Sequence, residues 1–253
     1  EQKKLINYCK KRKIKYLSTA FDISNLKFLL KNKIDYIKIP SGEITNLDLL
    51  EFIAKKNKKI LLSTGASTLK DVENAIKIIS SQKKKNITIL QCNSAYPTPI
   101  KDINLNVLKI FKKKFNLKIG FSDHSLSTVV SVGAVALGAS VIEKHFTLSR
   151  KMKGPDHKSS LEPKELKEMI KNIREFELAL GKSNKILSPS EKNNQKIIRK
   201  SIVANCPINI GEKFTKKNIT SKRPAGGISP MNIHLVLGKK AKKNFLTDEL
   251  IKL

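Results

Sequence analysis

Short apolar runs alternate along this chain with longer segments in which apolar residues recur every three or four positions. The apolar runs predict six strands: Ile14–Phe21, Tyr36–Pro40, Lys59–Thr64, Ile87–Asn93, Leu117–Phe121 and Ser140–Phe146. A helical pattern follows each: Ser24–Lys31, Asn46–Lys56, Thr68–Ser81, Leu105–Phe115, Ser127–Leu137 and Pro163–Leu180. One further helix, Gln2–Lys11, precedes the first predicted strand. This alternation predicts a parallel sheet covered by helices, coiled in one direction by right-handed crossovers.

Polar residues cluster where each predicted strand ends. The clusters are Ser18-Thr19, Lys38 with Ser41, Ser63-Thr64, Asn93-Ser94, Ser122 to His124, and Lys144-His145. In a TIM-type barrel the carboxyl ends of the strands form the rim that carries the chemistry. A single Ser or Thr at such a place is as readily a helix N-cap. Because all six predicted strands end this way, we expect a functional rim.

The composition changes after Gly181. Residues 182–197 are polar and predict a linker, and residues 198–253 contain short β-like runs and turns that predict a small second domain. The barrel-type domain is therefore expected over residues 1–181. Within the second domain, Gly226-Gly227 predicts a turn rather than a phosphate-binding loop, since no helical pattern follows it.

The charge is strongly basic, with 51 Lys and Arg against 21 Asp and Glu and a net charge of +30 in 253 residues. Such a charge often indicates a nucleic-acid partner. Here the lysines are spread along the whole chain, with only short runs such as Lys83–Lys85 and Lys112–Lys114. Aromatic residues make up 6% and do not alternate with basic ones to form a stacking surface. We therefore expect no nucleic-acid partner.

The compartment is indicated by the cysteines and the apolar runs. Cys9, Cys92 and Cys206 are far apart and odd in number, which favours a reducing compartment, and we expect a cytoplasmic protein. The longest nearly apolar run, Val129–Ile142, is too short to cross a bilayer. No signal-peptide pattern is visible, and the chain begins at Glu1 without Met, which predicts that an N-terminal part is absent.

Two of the four histidines, His124 and His145, end successive predicted strands. Adjacent strands lie ~4.8 Å apart, so two inward-facing imidazoles there can share one divalent ion. Two ligands are too few for a closed structural zinc site and leave positions for water and substrate oxygens. That arrangement suits a Lewis acid that polarises a carbonyl. By spacing alone, packed or solvated histidines remain the alternative.

Several motifs together resemble the sialic acid synthase family. They are GFSDHS, GASVIEKHFTL, KGPDHKSSLEP, YLSTAFD, IKIPSGEITN, LLSTGAS and LQCNSAYPTP. The later segment with RKSIVA and ITSKRPAGGISP resembles the family's C-terminal antifreeze-like (SAF) domain. The resemblance implies a TIM-type (β/α)8 barrel and a metal-dependent, C–C bond-forming transferase. Such an enzyme condenses phosphoenolpyruvate with an N-acetylmannosamine-type aminosugar, releases phosphate and yields a nine-carbon 2-keto acid. The implied metal is typically Mn²⁺, with Mg²⁺ as the alternative.

The resemblance also implies roles for individual residues. His124 and His145 match the metal ligands, and Glu43 matches a carboxylate that handles the proton of the attacking water. The phosphoenolpyruvate positions are Thr19, Lys38, Ser41, Ser63, Asn93 and Ser122. The positions that match sugar contacts are Tyr96, Asp156 and Arg223. The arginine is one that the SAF domain lends to the neighbouring subunit, which implies a homodimer. A trianionic substrate needs at least one cation, here Lys38, and several hydroxyl or amide donors.

Other interpretations compete with this one. Lys38 could form a Schiff base as in aldolases, although the histidine pair argues against it. We expect His157 to be a loop residue without a ligand role and His234 to be a structural residue. A metal-dependent hydrolase would need more His and carboxylate ligands. An inactive remnant or a basic binding module is the alternative from another class.

The strand count bears on activity. A (β/α)8 barrel has eight strands, whereas six are predicted here. Relative to the family, the first two strands and the first helix are missing. We therefore expect this chain alone to be inactive, and poorly soluble or oligomeric. N-acetylmannosamine and the diacetamido precursor of legionaminic acid both fit as the sugar, and the GPDH motif argues against the pseudaminic branch.

Overall fold

The computed structural model describes residues 1–82 and 86–253. The predicted basic run Lys83–Lys85 lies outside the described residues. The chain divides into two compact units, Glu1–Gly181 and Lys182–Leu253.

The first unit is built around a five-stranded parallel sheet whose spatial order follows the chain. The strands are β1 Tyr36–Ile39, β2 Lys59–Ser63, β3 Ile87–Cys92, β4 Lys118–Asp123 and β5 Ile142–Lys144. The helices are α1 Gln2–Lys11, α2 Ile23–Lys31, α3 Leu47–Ala54, α4 Leu69–Ser80, α5 Val107–Phe115, α6 Val129–Ala136 and α7 Pro163–Leu180. This is a TIM-type half-barrel, which confirms the predicted fold class.

Local sequence signals determine where the helices begin. The Asp22 carboxylate accepts a hydrogen bond from the Asn25 backbone N–H, and Thr68 and Asp71 form a capping box at the start of α4. Pro163 occupies the first turn of α7, where its missing N–H costs nothing. Apolar strand residues such as Ile39 and Leu62 are fully buried, as expected for a parallel sheet covered by helices.

The predicted first strand, Ile14–Phe21, is wrong. The segment makes a single bridge, between Thr19 and Lys38, and does not form a ladder with β1. Lys13 adopts a left-handed backbone (φ 57°), and Ile14 and Leu17 are 64% and 41% exposed. An apolar run becomes a strand only where a neighbour pairs with it along its length, so the described sheet has five strands rather than six.

The second unit contains α8 Lys192–Ile198 and a two-stranded antiparallel sheet of β6 Ser201–Ala204 and β7 Ile219–Lys222. Helix α8 falls largely inside the segment predicted as a linker. A separate core surrounds Phe214 and Phe245, whose ring centroids lie 5.7 Å apart. Across both units, no described helix combines the length and apolarity that a bilayer crossing requires.

Candidate active site

A cavity of about 830 Å³ lies at the carboxyl ends of the strands. All five strands, or the loops that follow them, contribute side chains to it, together with the segment before α2. Its lining includes Thr19, Lys38, Ser41, Ser63, Cys92, Ser94, Tyr96, Ser122, His124, Glu143 and His145. Eight of the residues predicted from the sequence therefore come together in one cavity.

A buried lysine lies in this cavity. The side chain of Lys38, on β1, is 7% exposed, and its Nζ lies 3.2 Å from Oε1 of Glu143 on β5. The same carboxylate oxygen accepts a hydrogen bond of 2.6 Å from the hydroxyl of Ser122 on β4. Sequence reasoning did not single out Glu143. Residues two apart on a strand point to the same face, so Glu143 lies on the same side of β5 as His145. That spacing was the sequence signal that could have identified Glu143.

The hydroxyl groups differ in how far the protein satisfies them. Ser63 Oγ is buried and has no hydrogen-bond partner among the described residues. Ser41 Oγ accepts a hydrogen bond of 2.8 Å from the backbone N–H of Gly65. A Cβ at Gly65 would lie 2.8 Å from that oxygen and 2.3 Å from Ser94 Oγ, so the close approach favours glycine. Since buried polar groups are nearly always paired, the free Ser63 hydroxyl indicates a place for a ligand oxygen.

The two histidines predicted from the strand ends face each other. The ring centroids of His124 and His145 lie 5.0 Å apart, with the rings nearly perpendicular at 86°. His124 Nδ1 lies 2.6 Å from the carbonyl oxygen of Asn93. This short contact assigns the ring proton to Nδ1, which leaves the lone pair of Nε2 free. Tyr96 lies against both rings, with centroid distances of 4.2 and 5.3 Å.

The surroundings of His145 favour its neutral form. Burial lowers the pKa of the His145 imidazole, and the neighbouring His124 lowers it further. The imidazole nitrogens of this pair can serve as two ligands of a divalent transition-metal ion whose other positions are filled by oxygen ligands. No group of three or more His, Cys, Asp or Glu side chains within residues 1–82 and 86–253 is arranged to hold a metal. Any ion held here would take its remaining ligands from water or substrate.

Cys92 adds a thiol to the same cavity. Its Sγ lies 3.8 Å from Nδ1 of His124. Burial raises the pKa of the Cys92 thiol, so the neutral thiol is the favoured form. Sequence reasoning did not assign this side chain to the site.

Some predicted site residues do not line the cavity. The Glu43 carboxylate accepts a hydrogen bond of 2.6 Å from the Asn46 side chain. The Asn93 side chain turns away, donating to the Asp102 carbonyl at 3.2 Å and accepting from the Ala95 N–H at 2.8 Å. Glu43 was assigned from the family motif and Asn93 also from its position after a strand, and neither signal fixes the direction of a side chain.

The remaining residues considered in the sequence lie outside the strands and α-helices. Asp156 is exposed, and its Oδ2 lies 4.0 Å from Nδ1 of His145, at the edge of the cavity. The His157 ring nitrogen Nδ1 lies 2.8 Å from the Thr147 hydroxyl, and His234 is exposed in the second unit. Arg223 also belongs to the second unit, where it is exposed and its Nε donates to the Ile198 carbonyl at 2.8 Å.

A half-barrel with a buried lysine, several hydroxyls and two imidazoles at its rim suits the binding of an anionic substrate. Residues 1–185 match the NeuB family, and residues 199–253 match the SAF domain. The chain belongs to the NeuB family, which confirms the resemblance drawn from the motifs.

The curated relatives include legionaminic acid and pseudaminic acid synthases. The chain is 48% identical to an N,N'-diacetyllegionaminic acid synthase of Campylobacter jejuni over 99% of its own length and 75% of the relative. It is 36% identical to a pseudaminic acid synthase of the same species, over 93% of this chain and 68% of that one. Among solved structures, an N-acetylneuraminic acid synthetase from Leptospira borgpetersenii in complex with citrate is 34% identical, with a TM-score of 0.71. That match covers 75% of this chain and 66% of the other.

Proposed function

We propose that this chain condenses phosphoenolpyruvate with an N-acetylmannosamine-type aminosugar to give a nine-carbon 2-keto acid and phosphate. The single observation that carries the proposal is the cavity in which buried Lys38 and a free Ser63 hydroxyl lie beside the facing pair His124 and His145. The relationship to the legionaminic acid synthase supports the same reaction class.

Phosphoenolpyruvate would occupy the part of the cavity around Lys38. Its phosphate and carboxylate carry negative charge, and Lys38 is the buried cation that offsets it. Hydroxyls of Thr19, Ser41 and Ser63 line the same space and would donate hydrogen bonds to the anionic oxygens. The Ser122 hydroxyl, which donates to Glu143, would do so on exchanging that partner for the substrate. Donors fixed in place before the substrate arrives stabilise charge without reorganisation.

The aminosugar would lie on the histidine side of the cavity. A divalent cation held by His124 and His145 would supply Lewis-acid polarisation of the sugar's carbonyl. Tyr96, packed against both imidazoles, and Asp156, at the edge of the cavity, would contact the sugar hydroxyl and amide groups. N-acetylmannosamine and its diacetamido analogue are the two candidate sugars.

The bond changes follow from the two substrates. Carbon 3 of phosphoenolpyruvate uses its double-bond electrons to attack the aldehyde carbon, and the aldehyde oxygen gains a proton. Water then adds to carbon 2 and loses a proton. The C–O bond to phosphate breaks, the oxygen leaves with the phosphate, and the 2-keto group forms.

Two carboxylates are candidates for taking the proton from the attacking water. Glu43 is the residue that matches the family motif, but its carboxylate accepts a hydrogen bond from Asn46. Glu143 contacts Lys38 and Ser122 inside the cavity. Comparing Glu43→Gln with Glu143→Gln decides between them: the acid–base residue is the one whose loss lowers kcat and removes one limb of the pH–rate profile.

The proposal includes a homodimer in which Arg223 acts on the partner's site. The exposed guanidinium of Arg223 would complete the site of a neighbouring subunit in a homodimer. Mixing an Arg223→Ala subunit with a His124→Ala subunit should then restore part of the activity, and verified heterodimers without any rescue would contradict donation between subunits.

The unpaired thiols Cys9, Cys92 and Cys206 suit a reducing cytoplasm, which is the compartment we propose.

The test of the function is direct. The chain is incubated with phosphoenolpyruvate, Mn²⁺ and each aminosugar in turn, and the product is identified by mass while released phosphate is counted. Formation of a 2-keto acid with one phosphate per turnover is expected. The strand count led us to expect an inactive chain, since the described sheet has five strands whereas a complete barrel has eight. Because Lys38 and both histidines nevertheless line one cavity, we propose slow turnover in place of none. Phosphate release without a new C–C bond would contradict the condensation.

A further inference from the structure

A buried ion pair lies directly behind the two imidazoles. Asp123 Oδ2 and Lys144 Nζ are 2.8 Å apart, and their side chains are 0% and 4% exposed. The two residues are register partners on β4 and β5. Each immediately precedes one histidine, so the ion pair and the imidazoles leave the strand ends on opposite sides.

The pair is the centre of a larger network that joins four parts of the fold. Asp123 Oδ1 accepts from the Ser125 N–H at 2.8 Å, and Oδ2 accepts from the hydroxyl of Ser131, on α6, at 2.8 Å. Lys144 Nζ donates to the carbonyls of Ser125 at 2.5 Å and Ser127 at 3.3 Å. Strands β4 and β5, helix α6 and the loop that begins with His124 are therefore fixed to one another.

Stability does not require a pair of this kind. Removing two charges from water is costly, and well-packed apolar residues can replace a buried ion pair without loss of stability. What apolar residues cannot supply is a directional contact that fixes the spacing of two strand ends. We propose that Asp123 and Lys144 are positioning residues that set the separation of His124 and His145 and thereby the affinity of the site for a divalent cation. This inference rests on the proposed function.

The test measures Mn²⁺ affinity by electron paramagnetic resonance in the 253-residue chain with both units present. Asp123→Asn and Lys144→Met each remove one charge while keeping the size of the side chain. We expect each to weaken Mn²⁺ binding roughly 10- to 100-fold, as losses of residues that orient metal ligands do. Ser131→Ala removes only one hydrogen bond to Asp123 and should weaken binding less. If neither charge variant folds, the Mn²⁺ affinity of Ser131→Ala tests the positioning role instead.

Two further variants separate positioning from general stability. The double variant Asp123→Asn with Lys144→Met leaves no unpaired buried charge, so its melting temperature should recover relative to the single variants while Mn²⁺ binding stays weak. Ile79→Val, a buried substitution on α4, should lower the melting temperature and leave Mn²⁺ affinity unchanged.

The possible results distinguish the positioning role of Asp123 and Lys144 from the proposed metal-dependent function. If the unmodified chain binds Mn²⁺ and the charge variants bind it equally well, the positioning role is wrong and the proposed function stands. Equal weakening in Ile79→Val at the same loss of thermal stability would also overturn the positioning role. If the unmodified chain binds no Mn²⁺, the metal-dependent function fails and the inference fails with it.

Discussion

Lys38 Nζ and Glu143 Oε1 lie 3.2 Å apart although their strands, β1 and β5, are the two outermost of the five-stranded sheet. Side chains from opposite edges of a flat sheet of this width could not meet, because neighbouring strands are ~4.8 Å apart. The contact therefore requires the sheet to curl until its edges face each other. The curl brings the cation from β1 close to the histidines that follow β4 and β5.

Replacing Lys38 with Met should weaken phosphoenolpyruvate binding roughly 10- to 150-fold, since a charge-assisted hydrogen bond contributes about 1.5–3 kcal/mol. Titration calorimetry measures the affinity. Lys15→Met is the matched control, because Lys15 also pairs with a carboxylate, Asp35 at 2.8 Å, but is 76% exposed. Unchanged affinity in Lys38→Met would place the anion elsewhere.

Ser63→Ala should have opposite effects on the free protein and on the complex. The Ser63 hydroxyl is buried without a partner, so its removal should raise the free energy of unfolding by about 1 kcal/mol in the absence of ligand. The same change should weaken phosphoenolpyruvate binding, because a donor is lost. Thermal unfolding with and without phosphoenolpyruvate measures both.

The control for this prediction is Ser131→Ala, whose hydroxyl donates to Asp123 at 2.8 Å and whose loss should destabilise the protein. If Ser63→Ala destabilised the ligand-free protein as much as Ser131→Ala does, the Ser63 hydroxyl would have to be satisfied by another partner.

Acid should release the Arg150–Glu165 contact. The hydrogen bond from Arg150, at 2.5 Å, and the backbone N–H of Glu162 hold the pKa of the Glu165 carboxyl below its usual value. With a lowered folded-state pKa, the stabilisation is present above the unfolded pKa of ~4.3 and disappears as the pH falls through the folded value. The side chain is partly exposed, so we expect about 1 kcal/mol or less.

Thermal unfolding of Glu165→Gln against pH tests this. The variant should be less stable than the parent at neutral pH, and the difference should vanish at acid pH. Glu175→Gln, on the same helix, alters an exposed pair with Lys171 at 3.6 Å and should change little at any pH. A stability difference that persisted unchanged into acid would exclude the ion pair as its source.

We expect copies of this chain to associate with one another. Ile14 and Phe21, beside the β1 edge, are 64% and 63% exposed, and Phe146 and Leu148, just after β5, are 51% and 73% exposed. Open strand edges with apolar neighbours favour pairing between chains. Light scattering during gel filtration should detect oligomers that dissociate on dilution. The double variant Phe21→Ser with Leu148→Ser should shift the equilibrium towards the monomer, and a monomeric parent at high concentration would contradict the expectation.

The sequence predicted best where the determining contacts are local. Helix α7 spans the predicted Pro163–Leu180, because Pro163 and the capping box mark its first turn and Gly181, with φ 55°, follows its last residue. The segment Ile14–Phe21 has the composition of a strand, but pairing depends on residues far away along the chain, and it makes one bridge. The same limit applies to Glu143, since its partners Lys38 and Ser122 come from other strands.

The site was partly predictable for the same reason. Alternation along a strand places His124 and His145 on one side, and carboxyl ends of parallel strands meet at one rim. Side chains in the loops beyond the strands follow no such period. Glu43 and Asn93 form hydrogen bonds within their own loops, which the sequence pattern did not indicate.

The burial of Cys92 makes the three thiols chemically unequal. Cys206 is exposed, Cys9 is intermediate, and Cys92 lies in the cavity with a raised pKa. The thiolate is the nucleophile that reacts with alkylating reagents, so exposed Cys206 should be labelled rapidly and buried Cys92 slowly. Cys206 can therefore be labelled selectively with a fluorophore. The slower labelling rate of Cys92 then measures how often its thiol becomes accessible to reagents in the cavity.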